Sequence, residues 1–98
     1  MIILSITIGE LLNNVEINNN LIDVRDKYKY SKGCIPKSIN IPSSYLLTNH
    51  SKYLDKNKTY YLYCDSGNTS RLVSDELNYL GYKIVNILGG YNYYLLIK

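Results

Sequence analysis

Residues 59–70 read TYYLYCDSGNTS, and their pattern indicates the fold class. Its first five residues, 59–63, are mostly of types that favour extended structure, which predicts a strand. Cys64 follows the strand directly, and a short polar loop containing Gly67 leads into a helix predicted over about residues 70–80. A strand that passes through a loop into a helix is a repeating unit of α/β domains.

The predicted helix is amphipathic. Apolar residues recur at the spacing i, i+4 and i+7, at Val73, Leu77 and Leu80, with Leu72 widening the stripe. Polar residues are assigned to the other side: Arg71, Ser74, Asp75 and Asn78. Gly81 stands where a left-handed residue commonly ends a helix, so the helix is expected to stop there.

Outward from this unit, strands and helices alternate along the chain. Further strands are predicted at 3–8, 21–24, 38–41 and 84–88, and helices at 10–15, 43–47 with Ser43 as N-cap, and 91–98. Loops are predicted at 18–20 and 26–33. The alternation predicts an α/β fold with a mainly parallel sheet. With 98 residues and no internal repeat, one domain spanning 1–98 is expected.

Composition and charge narrow the possible functions. The net charge is +3, and Lys27, Lys29, Lys32, Lys52, Lys56 and Lys58 are spread over two predicted loops, which does not make a nucleic-acid footprint. The chain has twelve Tyr but no Phe or Trp, a pattern that AT-rich codons explain better than base-stacking surfaces. Neither a signal peptide nor a membrane-length apolar run is present. We therefore expect a cytoplasmic protein with free thiols at Cys34 and Cys64.

Residues 64–70, the cysteine loop, are suited to nucleophilic chemistry. Cys64 would lie at the carboxyl end of a strand, where ligands bind in parallel sheets. Consecutive N–H groups from Asp65 to Ser70 could form a nest around the sulfur, and the helix N-terminus adds partial positive charge. Both would lower the pKa of the thiol and hold an anionic group bonded to it. The alternative is a buried structural cysteine beside an N-cap serine.

The cysteine loop, CDSGNTS, is similar to the active-site loop of the rhodanese family, C-x-x-G-x-R-S or a relative with a small polar residue in place of Arg. Residues 21–25, LIDVR, with Tyr30, Gly33, Ile35-Pro36 and 38–42, SINIP, resemble the family pattern L-I-D-V-R…Y…G-H-I-P-G-A-x-N-I-P. Gly81-Tyr82 and Leu88-Gly89-Gly90 resemble its G-[FY]…L-x-G-G tail. The three motifs occur in family order.

The resemblance implies a rhodanese-like fold, with helices on both faces of a small central sheet, and a sulfurtransferase that works through a persulfide on Cys64. The implied donor is a small anionic sulfur compound such as thiosulfate or a protein persulfide, and the implied acceptor is a thiol or cyanide. The implied binding residues are Asp65, Ser66, Gly67, Asn68, Thr69 and Ser70. Asp23 and Arg25 would support the corner near the site. No metal or organic cofactor is implied.

Several residues depart from the family pattern. Cys34 stands in place of the usual His, and Lys37 in place of the usual Gly. Asp65 introduces a carboxylate into an anion-binding loop, and Thr69 stands where many members carry Arg. Arg71 is expected either to border the pocket or to lie on the surface. His50, in a predicted polar loop, is expected to be a surface residue.

The sequence leaves three other functions open. A phosphatase or arsenate reductase of the C-x5-R kind would need its Arg after five residues, but Arg71 follows six, which rotates it by about 100° on a helix. A non-catalytic rhodanese-like binding module would usually lack the cysteine. A redox pair of Cys34 and Cys64 would require Cα atoms within about 7 Å.

Overall fold

The computed structural model describes residues 4–13 and 20–98. The strands are β1 (Ser5–Thr7), β2 (Leu21–Asp23), β3 (Ile39–Asn40), β4 (Thr59–Tyr63) and β5 (Lys83–Leu88). The helices are α1 (Ile8–Leu12), α2 (Lys27–Lys32), α3 (Ser43–Thr48), α4 (His50–Tyr53), α5 (Asn68–Tyr79) and α6 (Gly90–Ile97). Among these residues, none of the helices combines the length and the apolar content needed to cross a bilayer.

The five strands form one sheet in the order β1-β5-β4-β2-β3. Every neighbouring pair is parallel. Strand β4 is central, with Leu62 paired to Ile22 of β2 on one side and to Asn86 of β5 on the other. The predicted α/β class with a parallel sheet is confirmed, and the residue that follows β4 lies at the middle of the sheet edge.

Helices cover both faces of the sheet, as the resemblance implied. Because side chains alternate along a strand, β4 contributes to two separate cores. Leu62 packs with Leu46 and Leu77 on one face, while Tyr63 packs with Ile8 on the other. All five of these side chains are fully buried.

The prediction of a loop at 26–33 is wrong, because residues 27–32 form helix α2. The Asp26 carboxylate caps this helix by accepting the Lys29 N–H at 2.8 Å. No residue of α2 is buried, so the segment has no apolar stripe for sequence reasoning to detect. The prediction of a polar loop at His50 is also wrong, because His50 begins α4 and its Nδ1 lies 2.7 Å from the Tyr82 hydroxyl.

Two helix starts also differ from the prediction. Helix α1 begins at Ile8, not at residue 10, because Thr7 and Glu10 form a reciprocal capping box with bonds of 3.0 and 3.1 Å. Pro42, not Ser43, is the N-cap of α3, and Ser43 is already helical. Residue 3 of the first predicted strand, residues 14–15 of the first predicted helix and residues 18–19 of the first predicted loop lie outside the described residues.

Helix α5 begins at Asn68, and of the predicted apolar stripe it buries Val73 and Leu77 but not Leu72 or Leu80. Its buried residues are Ser70, Val73, Ser74 and Leu77. Leu72 is 62% exposed and Leu80 36% exposed, so neither belongs to the buried stripe. The helix starts earlier than predicted, and its first turn lies against the sheet through Ser70. Polar Ser74 is thereby placed in the interior.

Ser74→Ala is expected to raise the free energy of unfolding by about 1 kcal/mol, because the Ser74 hydroxyl is buried without a hydrogen-bond partner among the described residues. Alanine removes that unsatisfied group and is a better helix former. Urea unfolding of the two proteins measures the change. A clear loss of stability would show that the hydroxyl has a partner.

Candidate active site

Cys64 directly follows β4 and is buried, with only 4% of its surface exposed. Helix α6 fixes the backbone at this point. The Tyr91 N–H donates to the Cys64 carbonyl at 2.8 Å, and the Asn92 N–H donates to the Asp65 carbonyl at 2.9 Å. The first turn of α6 therefore holds the start of the cysteine loop in place.

Gly90 makes this contact between α6 and the loop possible. Its φ is +59°, and an added Cβ would lie 2.5 Å from the Cys64 carbonyl oxygen. A side chain at this position would separate α6 from the loop. The second glycine after β5 is thus needed for a close approach of two backbone segments, in addition to any part in ending the strand.

Two backbone N–H groups point at the Cys64 sulfur. The Gly67 nitrogen lies 3.2 Å and the Ser70 nitrogen 3.3 Å from Sγ. Gly67 adopts a φ of +99°, and its Cα packs so closely on the end of β5 that an added Cβ would lie 3.1 Å from the Gly89 nitrogen. The left-handed turn at Gly67 allows the loop to curl around the sulfur.

These contacts favour the thiolate. Burial by itself raises the pKa of the Cys64 thiol, but hydrogen bonds from Ser70, Gly67 and Ser66 outweigh it, and the pKa is lowered. The Ser70 hydroxyl has a single proton and lies 2.5 Å from Asn86 Oδ1, so we assign that proton to Asn86. The backbone N–H groups are then the donors that face the sulfur, and such donors can stabilise an anionic sulfur.

Alkylation of Cys64 is expected to show a pKa below that of an unperturbed cysteine thiol. The lowered pKa means that the thiolate, and with it the alkylation rate, persists at a pH where an ordinary thiol is protonated. The measurement is the rate of iodoacetamide reaction against pH in a Cys34→Ser protein, where Cys64 is the only thiol. A midpoint at or above that of the same thiol in the urea-unfolded protein would contradict the assignment.

The Asp65 carboxylate is paired with cations from outside the loop. Lys29 Nζ lies 2.6 Å from its Oδ2, and Arg25 Nη1 lies 3.8 Å from its Oδ1. The hydrogen bond to Asp65 raises the pKa of Lys29. These two cations therefore offset the negative charge of Asp65. The sequence did not predict this pairing.

Asp23 and Arg25 form a buried ion pair beside the site. Arg25 Nε lies 3.1 and 3.0 Å from the two Asp23 oxygens, and Nη2 lies 2.6 Å from Oδ2. Nη2 also donates to the Gly33 carbonyl at 2.7 Å, and the guanidinium carbon lies 4.2 Å from the centre of the Tyr91 ring. Burial lowers the pKa of Arg25, but Asp23 raises it by more, so the side chain stays charged.

The other predicted site residues lie farther from the sulfur or at the surface. Ser66, Asn68 and Thr69 are exposed, and Thr69 lines a shallow groove between α3 and α5. Arg71 is on the surface, where its Nη1 lies 3.5 Å from Asp75, so it is not directed at Sγ. Cys34 is half-buried, and both cysteines are free thiols.

Sequence reasoning missed Asn86, a buried residue of β5 that contacts the cysteine loop. Its Oδ1 accepts the Ser70 hydroxyl proton at 2.5 Å, and its Nδ2 donates to the Gly67 carbonyl at 3.3 Å. The available signal was a single polar residue within the apolar run of 84–88, IVNIL. A polar side chain buried in a central strand needs partners, and here the loop supplies them.

Known proteins resemble the chain over most of its length. The family model described as "Rhodanese-like domain" matches residues 7–96. The "Putative sulfurtransferase YtwF" of Bacillus subtilis is 34% identical over 92 residues, covering 92% of this chain and 88% of that protein. The "Adenylyltransferase and sulfurtransferase uba4" of Ogataea parapolymorpha is 38% identical over 71 residues, covering 71% of this chain but only 18% of that protein.

A solved structure has the same fold. The crystal structure of a rhodanese-related protein from Thermoplasma volcanium superposes with a TM-score of 0.84 at 33% identity. The match covers 95% of this chain and 91% of that one.

Proposed function

Because the chain belongs to the rhodanese-like domain family, we propose that it is a sulfurtransferase that carries a sulfane sulfur on Cys64. The observation that carries this proposal is the pair of N–H groups, from Gly67 and Ser70, that donate to the buried Cys64 sulfur. Such an arrangement stabilises an anionic sulfur both as a thiolate and as a persulfide. Relatives named as sulfurtransferases support the same activity.

The proposed reaction has two displacement steps. The Cys64 thiolate attacks the outer sulfur of the donor, the donor S–S bond breaks, and the rest of the donor leaves with the bonding electrons, as sulfite from thiosulfate or as a thiolate from a persulfide. An acceptor thiolate or cyanide then attacks the outer sulfur of the Cys64 persulfide, and the Cys64 thiolate leaves. The enzyme regains its starting state without an external oxidant or reductant.

The proposed roles of the remaining site residues follow from their contacts. The cysteine loop, through its N–H groups and the side chains of Asp65 to Ser70, would hold the donor and the persulfide. Asp23 and Arg25 would keep the neighbouring corner rigid through their buried ion pair. Cys34, half-buried, is assigned no role in the transfer of the first sulfur.

Intact-mass measurement after exposure to thiosulfate or to polysulfide tests this proposal. The wild-type protein is expected to gain the mass of one sulfur atom, which a reducing thiol then removes. Cys34→Ser should load in the same way, whereas Cys64→Ala should not load. Failure of Cys34→Ser to load would instead favour a redox pair of the two cysteines.

Thr69→Arg is expected to improve the use of thiosulfate by about ten- to a hundred-fold. Thiosulfate is a dianion whose sulfonate end needs positive charge, and a guanidinium can bind two of its oxygens. A charge-assisted hydrogen bond is worth roughly 1.5–3 kcal/mol, which corresponds to that range. Since Lys29 and Arg25 offset Asp65, we expect poor use of thiosulfate by the wild-type protein because of Thr69 and not because of the Asp65 charge.

The specificity constants for thiosulfate and for a small neutral persulfide donor measure this effect in both proteins. The persulfide serves as the control, because its use does not depend on a sulfonate contact and should stay constant. If the wild-type protein already prefers thiosulfate, or if the Arg variant shows no gain, then the loop N–H groups suffice to bind the dianion.

A phosphatase of the C-x5-R kind finds no support in the geometry. The exposed Arg71 pairs with Asp75 on the same helix and does not reach over the Cys64 sulfur. Arg71, which follows Cys64 after six residues, therefore lies on the exposed side of α5, as its register predicts.

A further inference from the structure

We infer that Asn86 is a positioning residue that holds the cysteine loop in the conformation that stabilises the Cys64 thiolate. This inference rests on the proposed function, since it assigns the residue that prepares the nucleophile. Asn86 touches neither Sγ nor a reacting atom in the contacts described above. It acts through Gly67 and Ser70, the two residues whose N–H groups donate to the sulfur.

The amide side chain of Asn86 binds both of these residues at once. Its Nδ2 donates to the Gly67 carbonyl at 3.3 Å, and its Oδ1 accepts from the Ser70 hydroxyl at 2.5 Å. Gly67 and Ser70 are three residues apart, at the two ends of the turn that encloses Sγ. A single rigid amide therefore fixes the separation of the two N–H donors.

Asn86 is itself held rigidly. It is only 1% exposed, and its place in β5 is fixed by pairing with Leu62 of β4 and by a backbone bond of 2.9 Å to the Leu4 carbonyl. A buried side chain on a central strand gives a reference point that a surface loop lacks. The loop is thereby tied to the sheet, close to the residue that it encloses.

A simpler explanation would be that the Ser70 hydroxyl donates directly to Sγ, and the effect of removing Asn86 distinguishes the two. If the hydroxyl donated directly to Sγ, Asn86 would compete for its proton, and removal of Asn86 would strengthen the bond to sulfur. The pKa of Cys64 would then fall or stay constant. If Asn86 instead holds the loop, its removal loosens both N–H contacts and the pKa rises. The two explanations predict opposite directions.

The charged side chains around the cysteine loop form ion pairs with one another. Asp65 belongs to the loop itself, and the β2–α2 side contributes Asp23, Arg25 and Lys29. On α5, Arg71 and Asp75 pair with each other at the surface. None of these side chains has a hydrogen bond to Asn86 among the described residues, so replacing Asn86 by a neutral residue leaves the charges unchanged.

The test is the pH dependence of Cys64 alkylation by iodoacetamide in a Cys34→Ser background. Asn86→Leu and Asn86→Ala, which both remove the amide, are each expected to raise the pKa of Cys64, so that alkylation at a pH well below the midpoint slows by about tenfold. Ser70→Ala should also raise it, and the double variant Ser70→Ala/Asn86→Leu should raise it no further than Asn86→Leu does. A fall or no change in a folded Asn86 variant would overturn the inference.

Asn78→Ala is the matched control. Asn78 also joins α5 to β5 through its side-chain amide, with two bonds of 2.9 Å to the backbone of Ile84, but at the end of α5 away from the loop. Its loss should lower stability without moving the pKa of Cys64. An equal rise in this control would mean that the effect of Asn86 is only general loosening of the fold.

An NMR titration of the wild-type protein gives a second test of the link between Asn86 and Cys64. It does not depend on whether a variant folds. The side-chain amide signal of Asn86 is expected to shift with the midpoint of Cys64, and a signal that stays constant through that midpoint would contradict the link. Both readouts are independent of sulfur transfer. If the wild-type protein fails to load sulfur, the proposed function is wrong, whereas the inference about Asn86 is decided by the pKa alone.

Discussion

Cys64→Ala is expected to abolish sulfur transfer, reducing thiocyanate formation from cyanide to the rate measured without protein. The proposed reaction passes through a persulfide on this sulfur, and the geometry offers no second thiol held by loop N–H groups among the described residues. The variant should still fold, because alanine removes only the Sγ atom from the buried core. The measurement is the steady-state rate together with a circular dichroism spectrum.

Cys34→Ser provides the control for this experiment, since it removes the other cysteine and should retain the wild-type rate. Retention of activity in Cys64→Ala would show that the persulfide forms elsewhere or that none is formed. Loss of activity in both variants would point to cooperation between the two thiols.

Asp23→Ala is expected to lower the free energy of unfolding by about 3–5 kcal/mol, a large part of the total for a domain of this size. Asp23 is fully buried, and its loss leaves the Arg25 guanidinium, whose side chain is only 4% exposed, without its main partner. The cost arises from the uncompensated buried charge. Urea unfolding measures the change, and sulfur transfer should decline at the urea concentrations where the variant unfolds.

The surface ion pair of Arg71 and Asp75 supplies a comparison with the buried pair. Asp75→Ala removes the partner of Arg71, and because both side chains are more than half exposed, the expected loss is at most about 0.5 kcal/mol. The double variant Asp23→Leu/Arg25→Met should recover much of the stability lost in Asp23→Ala, since apolar residues can replace a buried ion pair. A small effect of Asp23→Ala would mean that water reaches Arg25.

The parts of the fold that sequence reasoning predicted well are those with a local signal. The β-formers of 59–63 and the apolar run 84–88 gave strands within one residue of the observed bounds. Helix α2 was missed because it buries none of its residues and depends on a cap from Asp26. Where a helix lacks an apolar stripe, hydrophobic periodicity carries no information about it.

The candidate site likewise has a part with a local sequence signal and a part without one. The cysteine loop could be located from Cys64 and Gly67, which are close in the sequence. The partners that complete it are distant: Lys29 is 36 residues from Asp65, and Asn86 is 16 residues from Ser70. The direction of the Ser70 hydroxyl depends on that distant amide. Such contacts follow from the sheet order, which places β5 beside β4, and not from any local pattern.

The position of β5 and α6 has a consequence for how the protein is made. On the ribosome, Cys64 emerges before the strand that completes the centre of the sheet, and before Tyr91 and Asn92, whose N–H groups hold the backbone at Cys64 and Asp65. Until β5 inserts between β1 and β4, the cysteine loop lacks its two hydrogen bonds with Asn86, and the backbone at Cys64 lacks the hydrogen bond from Tyr91. We therefore expect Cys64 to react as an ordinary cysteine during synthesis and to reach its lowered pKa only when β5 and α6 are in place.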